Sequence, residues 1–283
     1  MSLVVEKPGG RSLVQDGGRP GLAGLGVGPS GAFDRVAMRR ANGLVGNGPD
    51  AAVVEMLAGG LAVRADSDHV VAVAGATTEL SVDGETVLVG SAFPLPAGAT
   101  LTLGRPTAGV RSYLAVAGGL DVEPVLGSRS TDTLSGIGPA PLGPGDVLPV
   151  GRAEGAAEPD EGPPLDVTTY DVVLGPRDDW FTDAAVDLFL ATDWTLSPRC
   201  DRVGLRLDGP ALERAITDEL PSEPCVRGSI QVTAEGLPIV LGPDHPVTGG
   251  YPVIAVVVDA HTDRLAQARP GDVVRFSRVA AST

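Results

Sequence analysis

A mostly β, α+β fold, built as two β-rich units with few covering helices, is the architecture this sequence predicts. Three observations predict it. Gly 39 and Pro 25 together make 64 of 283 residues while hydrophobics reach 43%. Turns need the backbone freedom of Gly and the fixed φ of Pro, so this balance reads as turn-rich and globular rather than disordered. Short apolar runs alternate with Gly/Pro/Asp punctuation along most of the chain, the pattern of strands and turns. Finally, Pro144-Gly145-Asp146-Val147-Leu148 recurs as Pro270-Gly271-Asp272-Val273-Val274 near the close of each half. The echo points to two related units, and the length suits two domains that need neither disulfide nor metal to fold.

The elements follow in chain order. Asp34 to Val45 carries Ala37, Ala41, Leu44 and Val45 on one stripe, with Arg35, Arg39 and Asn42 on other faces. A helix is expected there, capped by Ser30 or Gly31 and stopped at Gly46-Asn47-Gly48-Pro49. Val71–Ala76 and Leu114–Gly119 are similar strand-like runs, Val-Ala-Val-Ala-Gly-Ala against Leu-Ala-Val-Ala-Gly-Gly. Between them, Thr78–Val82 and Glu85–Val89 flank Asp83-Gly84, the two residues that supply the positive φ angles of a type I′ hairpin. Residues 151–164 are acidic and lack apolar periodicity, which makes them the expected linker between domains 1–150 and 165–283. A second helix is expected from Asp178/Asp179 to Thr192, with Trp180, Phe181, Ala184, Ala185, Leu188 and Phe189 facing the core. Shorter helical turns are expected near 211–216 and 262–268.

Charge excludes several functions. Twenty of the 21 basic residues are Arg, and the one lysine, Lys7, precedes Pro8-Gly9-Gly10. A Walker P-loop, a pyridoxal Schiff base, a biotin acceptor and a Ser-Ser-Lys amidase triad all need a lysine this chain lacks. Net charge is −15, which argues against nucleic acid and anionic membranes as partners. Residues 1–48 nevertheless hold six basic residues against three acidic ones, so an anionic ligand would fall there, unless these are scattered solvated arginines. No apolar run approaches 18 residues, the start carries no signal pattern, and Cys200 and Cys225 are the only cysteines. A reduced, cytoplasmic protein is expected. His69, His245 and His261 have no metal-ligand spacing, and no metal site is expected.

Three motifs have chemical potential. Gly26-Val27-Gly28-Pro29-Ser30-Gly31 matches G-x-G-x-x-G but follows loop residues rather than a buried strand, which argues against a dinucleotide fold. Free N–H groups near Ser30, with Arg19 or Arg35 alongside, suit a phosphate or carboxylate; an ordinary capped helix suits the pattern equally. Gly127-Ser128-Arg129-Ser130-Thr131 flanks one arginine with hydroxyls, which fits an anion clamp or a turn whose hydroxyls satisfy local backbone. Asp244-His245-Pro246-Val247-Thr248-Gly249-Gly250-Tyr251-Pro252 gathers acid, imidazole, hydroxyl and phenol, and its double glycine admits a ligand close to the backbone. No serine has glycine at both −2 and +2, so the α/β-hydrolase nucleophile elbow is absent.

These segments also carry a family resemblance. Gln15–Gly21, Gly26–Asp34, Ala41–Asn47, Glu55, Tyr113–Gly119, Leu126–Thr131, Ser229–Val232, Gly236–Leu241, Thr248–Pro252, Ala266-Gln267 and Pro270–Asp272 together resemble the KipA family. That family is also labelled allophanate hydrolase subunit 2, or the biotin-dependent carboxyltransferase-type family, and the likeness spans nearly the whole chain. It implies cyclophilin-like barrel character, a KipI-like (allophanate hydrolase subunit 1-like) partner and a LamB/YcsF-like neighbour. The family includes one component of an ATP-dependent 5-oxoprolinase, implying ATP with Mg²⁺ and a small amide or lactam substrate. The same fold also serves carboxyl transfer from a biotinylated partner to urea or a related amide, or non-enzymatic regulation through KipI. By this resemblance Ser128, Arg129 and Ser130 form an anion clamp, and Asp16, Arg19, Ser30, Asn42 and Asn47 are ligand candidates of the N-terminal region. Gln231, Asp244, Thr248 and Tyr251 are the substrate-side candidates. Removing Arg129 from such a clamp would cost at least about tenfold in turnover. Thr233-Ala234 stand where relatives carry a proline-rich turn, and no general base is assigned.

Overall fold

The computed structural model describes residues 1–152 and 168–280, so all but the first two residues of the expected linker lie outside the described residues. The chain divides into two compact units, Met1–Arg19 with Ser30–Leu165, and Pro20–Pro29 with Asp166–Thr283. No described helix is long and apolar enough to cross a membrane.

The first unit holds β1 (Ser2–Pro8), β2 (Arg11–Gln15), α1 (Arg35–Leu44), β3 (Val53–Leu57), β4 (Leu61–Ala65), β5 (His69–Thr77) and β6 (Leu80–Val82). It continues with β7 (Glu85–Val87), β8 (Ala92–Leu95), β9 (Thr100–Leu103), β10 (Ala108–Val116) and β11 (Val147–Pro149). They form a six-stranded sheet, β11-β1-β4-β9-β6-β7, and a five-stranded sheet, β2-β3-β10-β5-β8. Side chains alternate along each strand, so the five-stranded sheet buries two faces. Val71, Val73, Leu114 and Val116 share a core with Leu3, Val5, Leu61, Val63 and Leu101 of the six-stranded sheet. Ala72, Ala74, Tyr113 and Ala115 face Ala37, Met38 and Ala41 of α1. Small alanines on that side let the helix lie close to the strands. The two similar apolar runs are neighbours: β5 and β10 pair antiparallel, Val73 opposite Leu114 and Ala72 opposite Ala115.

Local turn chemistry explains much of the chain path. Asp83 (φ 50) and Gly84 (φ 87) make the expected tight turn between β6 and β7. The cap of α1 differs from expectation. Ser30 and Gly31 lie at positive φ, whereas Asp34 is extended and its carboxylate accepts the Ala37 N–H at 2.9 Å. Asn42, expected on an outer face, is fully buried because its amide donates to the Ala51 carbonyl at 2.8 Å.

The second unit contains β12 (Thr169–Leu174), α2 (Asp183–Ala191), β13 (Trp194–Leu196), β14 (Gly204–Asp208), β15 (Glu223–Pro224) and β16 (Ser229–Val232). After these come β17 (Pro238–Leu241), β18 (Thr248–Gly249), β19 (Val253–Val257), α3 (Asp259–Leu265) and β20 (Val273–Arg278). Seven strands close a barrel in the order β12-β19-β16-β17-β14-β13-β20, with β12 and β20 parallel. Phe189 of α2 stacks on Phe276 of β20 with ring centroids 4.8 Å apart, and Trp194 donates to the Phe189 carbonyl at 3.0 Å.

The second expected helix is interrupted. Asp178–Trp180 form a single 3₁₀ turn, Phe181 is extended and bridged to Arg214, and Thr182 recaps the chain by accepting from Ala185 N–H. Restarting at Asp183 turns Ala185 and Phe189 inward and leaves Ala184 and Leu188 exposed. The bonds of 215 and 216 go to the Trp180 carbonyl, so no helical turn forms at 211–216. The helix expected at 262–268 instead spans Asp259–Leu265. The two Pro-Gly-Asp turns match closely: Gly145 and Gly271 have φ 90 and 92, and Asp146 and Asp272 each accept the N–H three residues earlier.

Candidate functional site

Two polar clusters gather the nominated residues, one within each unit. In the first, β2 runs into Asp16, which is only 8% exposed. Its Oδ1 accepts Ser128 Oγ–H at 2.6 Å, Ser130 Oγ–H at 2.5 Å and Gly18 N–H at 2.8 Å. Its Oδ2 accepts the Arg129 N–H at 2.6 Å. The clamp expected at 128–130 is therefore formed, but the anion it holds is Asp16 of the same chain. The Arg129 guanidinium turns away, donating to the Val122 carbonyl at 2.7 Å and to Asp121 at 2.8 Å. Arg19, buried, donates to the Ser130 carbonyl, and Ser30 Oγ donates to the Thr131 carbonyl at 3.2 Å. Asp16, Arg19, Ser30, Ser128 and Ser130 thus knit the 128–131 segment to the loop after β2.

Asn42 and Asn47 meet elsewhere, at the end of α1. Asn47 donates to Asn42 Oδ1 at 3.1 Å and to the Val116 carbonyl at 2.8 Å, and accepts the Gly118 N–H at 2.8 Å. These bonds make the two ligand candidates a helix stop tied to β10. A third network has no counterpart among the sequence expectations. Tyr113 Oη donates to Glu55 at 2.9 Å and accepts Asp34 N–H at 2.7 Å, while Arg111 lies 4.3 Å above the Phe33 ring centroid. Burial, reinforced by the Glu55 and Asp34 charges, pushes the Tyr113 phenol well above its ordinary value, so it stays protonated.

In the second unit, Gln231 sits on β16 opposite a bulge in β19, where Ile230 pairs with Ala255 and Gln231 with Val253, leaving Ile254 as the extra residue. Bulges re-aim neighbouring side chains. The Gln231 amide nitrogen lies 3.4 Å from Cys225 Sγ, an ordinary distance to the larger sulfur atom, and 3.4 Å from the Tyr251 carbonyl, a long contact to oxygen. A Cβ at Gly249 would come within 2.4 Å of that nitrogen and 3.1 Å of Cys225 Sγ, so the bare glycine makes room for the carboxamide. Thr248 borders the seat on β18, paired to Pro224, and Tyr251 is 45% exposed. Glu223 of β15 pairs with Arg177, whose hydrogen bond holds the carboxyl below its ordinary range. Burial, then the Glu223 charge, raises the Cys225 thiol, leaving it a poor nucleophile at neutral pH.

Asp244 is not part of this seat. It forms a bidentate pair with Arg202 at 2.8 and 3.0 Å, both side chains almost fully buried, so its carboxylate is committed to the fold. Arg177, Glu223, Cys225 and Arg202 gave no sequence signal: Arg177 and Arg202 meet their carboxylates 46 and 42 residues on, and Cys225 meets Gln231 across the turn that leads into β16. A groove of about 500 Å³ bordered by Met1, Asp68, His69, Val70 and Pro94 contains none of the nominated residues.

The profile of the carboxyltransferase domain, subdomain A and B, matches residues 25–278. The chain is 40% identical to the C subunit of 5-oxoprolinase from Escherichia coli strain K12 over 279 residues, covering 97% of this chain and 90% of that protein. It is 31% identical to urea amidolyase of Lachancea kluyveri, covering 97% of this chain but 17% of that protein. The crystal structure of the K. lactis urea amidolyase superposes with a TM-score of 0.91 at 28% identity, over 99% of this chain and 19% of that one. The chain spans between 19% and 56% of five solved chains that it matches. With a profile match over most of its length, a closed barrel in one unit and two sheets in the other, and full-length likeness at 40% identity, the chain belongs to the carboxyltransferase domain, subdomain A and B family.

Proposed function

We propose that this chain is the C subunit of a cytoplasmic, ATP-dependent 5-oxoprolinase that opens 5-oxoproline to glutamate together with a KipI-like chain and a LamB/YcsF-like chain. The observation that carries the reading is the 40% identity to the C subunit of a 5-oxoprolinase over 97% of one chain and 90% of the other. Opening an unstrained lactam is reluctant, and phosphorylating its amide oxygen creates the better electrophile for water; that is the chemistry ATP supplies. The groups nominated for phosphate do not fit it, because Ser128, Ser130 and the Arg129 N–H already hold Asp16. No group of three or more His, Cys, Asp or Glu able to hold a metal ion occurs among the described residues. Mg²⁺ that arrives with ATP needs only one or two protein carboxylates beside the phosphates, and in this reading the assembled complex as a whole holds both.

What this chain contributes is recognition of the amide. A lactam is a cis amide, presenting N–H and C=O on one edge, and a carboxamide presents the complementary acceptor and donor. Gln231 is such a group. Its amide nitrogen makes one weak bond to sulfur and one long contact to oxygen, and among the described residues its Oε1 takes no hydrogen bond. Tyr251 and Thr248 flank it. Urea offers the same edge, so carboxyl transfer from a biotinylated partner is the second reading, favoured by the urea amidolyase matches.

The test is ADP and glutamate release by the three chains with ATP and Mg²⁺, with and without 5-oxoproline. Turnover that needs both 5-oxoproline and this chain is expected. Silence with all three chains folded and associated, but carboxylation of urea alongside a biotin carboxylase and carrier, replaces the first reading with the second.

A further inference from the structure

A ring of contacts encloses the Gln231 carboxamide. Gln231 pairs with Val253 of β19, and the Val253 carbonyl accepts the Arg177 N–H at 2.9 Å. The Gly175 N–H donates to the Ile254 carbonyl, also at 2.9 Å, so the backbone of 175–177 is fixed to the bulge itself. From there the Arg177 guanidinium grips both carboxylate oxygens of Glu223, with Nε donating at 2.9 Å. Glu223 in turn pairs with Gly249 across the two-stranded β15–β18 ribbon. Gly249 completes the ring, since a Cβ there would lie 2.4 Å from the Gln231 amide nitrogen. The ring is closed by one side-chain ion pair. A guanidinium fork on a carboxylate fixes direction as well as distance. With Arg177 35% and Glu223 28% exposed, the pair adds little to global stability, and its consequence is local.

We propose that Arg177 is a positioning residue: by gripping Glu223 it holds the β15–β18 ribbon against Gln231 and keeps the carboxamide aimed at the substrate amide. This role rests on the 5-oxoprolinase reading above and deepens it by naming what orients the amide-reading group. Cys225 reports on the ribbon, because its N–H donates to the Val247 carbonyl at 2.9 Å and its Sγ meets the Gln231 amide.

Two measurements test it. On the isolated chain, iodoacetamide alkylation of Cys225 is followed by peptide mass for wild type, Arg177→Leu and Arg177→Lys, with a thermal melt of each. Removing the guanidinium leaves the Glu223 charge uncompensated beside the thiol, which by itself slows alkylation, so acceleration reports exposure. Arg177→Leu is expected to react at least about fivefold faster with its melt within about 2 °C of wild type, and Arg177→Lys, which keeps one charged contact, to recover most of the protection. An unchanged rate, or a melt lowered well beyond that, overturns the positioning role. In the three-chain complex, Arg177→Leu is expected to lower kcat/KM for 5-oxoproline at least about fivefold, but less than about twofold in a Gln231→Ala background. Equal losses in both backgrounds also overturn it, because a purely structural role would not depend on Gln231. Absence of turnover by the wild-type complex overturns the 5-oxoprolinase reading alone, and the alkylation rates then decide the positioning of the ribbon by themselves.

Discussion

The Asp16 cradle and the Gln231 seat bring together comparable sets of polar atoms, yet one is closed and the other open. Asp16 accepts four hydrogen bonds between 2.5 and 2.8 Å, all from its own unit. Gln231 has two contacts of 3.4 Å, one of them to sulfur, and relies on a bare glycine to make space for it. A buried polar group needs its partners, so a fully satisfied cluster is explained by folding alone. An under-satisfied one, beside a half-exposed tyrosine, is the better place to seek a ligand. The Ser128-Arg129-Ser130 motif and the Thr248-Gly249-Gly250 motif both suit a ligand on composition, and only their observed hydrogen bonds tell the closed one from the open one.

The largest effect that sharpens this contrast is expected from Asp16→Ala. It strands two hydroxyls and two backbone N–H groups in a buried place, and should cost about 3 kcal/mol or more. For a unit of this size that lowers the melting temperature by about 6–12 °C, read by calorimetry on the isolated chain. A loss under about 1 kcal/mol would mean that water or a ligand replaces the carboxylate, and that the cradle is a site after all.

Gln231 should behave in the opposite way. Gln231→Ala removes only a weak bond to sulfur and a long contact to oxygen, so stability should change by less than about 1 kcal/mol. Turnover of the assembled complex should fall at least about tenfold, the equivalent of about 1.4 kcal/mol of lost transition-state binding. Gly249→Ala drives a methyl to within 2.4 Å of the amide nitrogen and should displace the same group. Because both changes act on one contact, the double variant should be no worse than the poorer single one, and additive losses would separate Gly249 from the seat.

What the sequence made legible was local. Asp83-Gly84 specifies its turn through two φ angles, and both Pro-Gly-Asp turns use the same glycine conformation and carboxylate cap. What escaped it depended on distant partners. Asn42 looks like an outer helix residue until Ala51 is brought to it, and Trp180 ends its helical turn because Phe181 bridges Arg214, more than thirty residues on. Within the candidate sites, hydroxyls beside an arginine led to the expectation of a bound anionic ligand, and the structure puts the carboxylate of Asp16 against those hydroxyls and the Arg129 N–H. That the carboxylate lies 112 residues away on the same chain depends on how β2 and the 128–131 segment are laid together, which no local pattern encodes.

Arg129 gives the smallest effect and the sharpest separation of the two regions. As the centre of an anion clamp it would cost turnover dearly. Its guanidinium instead bonds the Val122 carbonyl and Asp121, with its side chain 34% exposed and that of Asp121 62% exposed. A pair so open to solvent contributes little, about 0–1 kcal/mol, because water and salt screen it and long side chains resist ordering. The group that holds Asp16 at this residue is the backbone N–H, and it survives truncation. Arg129→Ala should therefore leave turnover within about twofold and cost under about 1 kcal/mol of stability. A tenfold loss of turnover in a chain that melts and binds its partner like wild type would return the guanidinium to the chemistry, and would show that a saturated cradle can still present a working face.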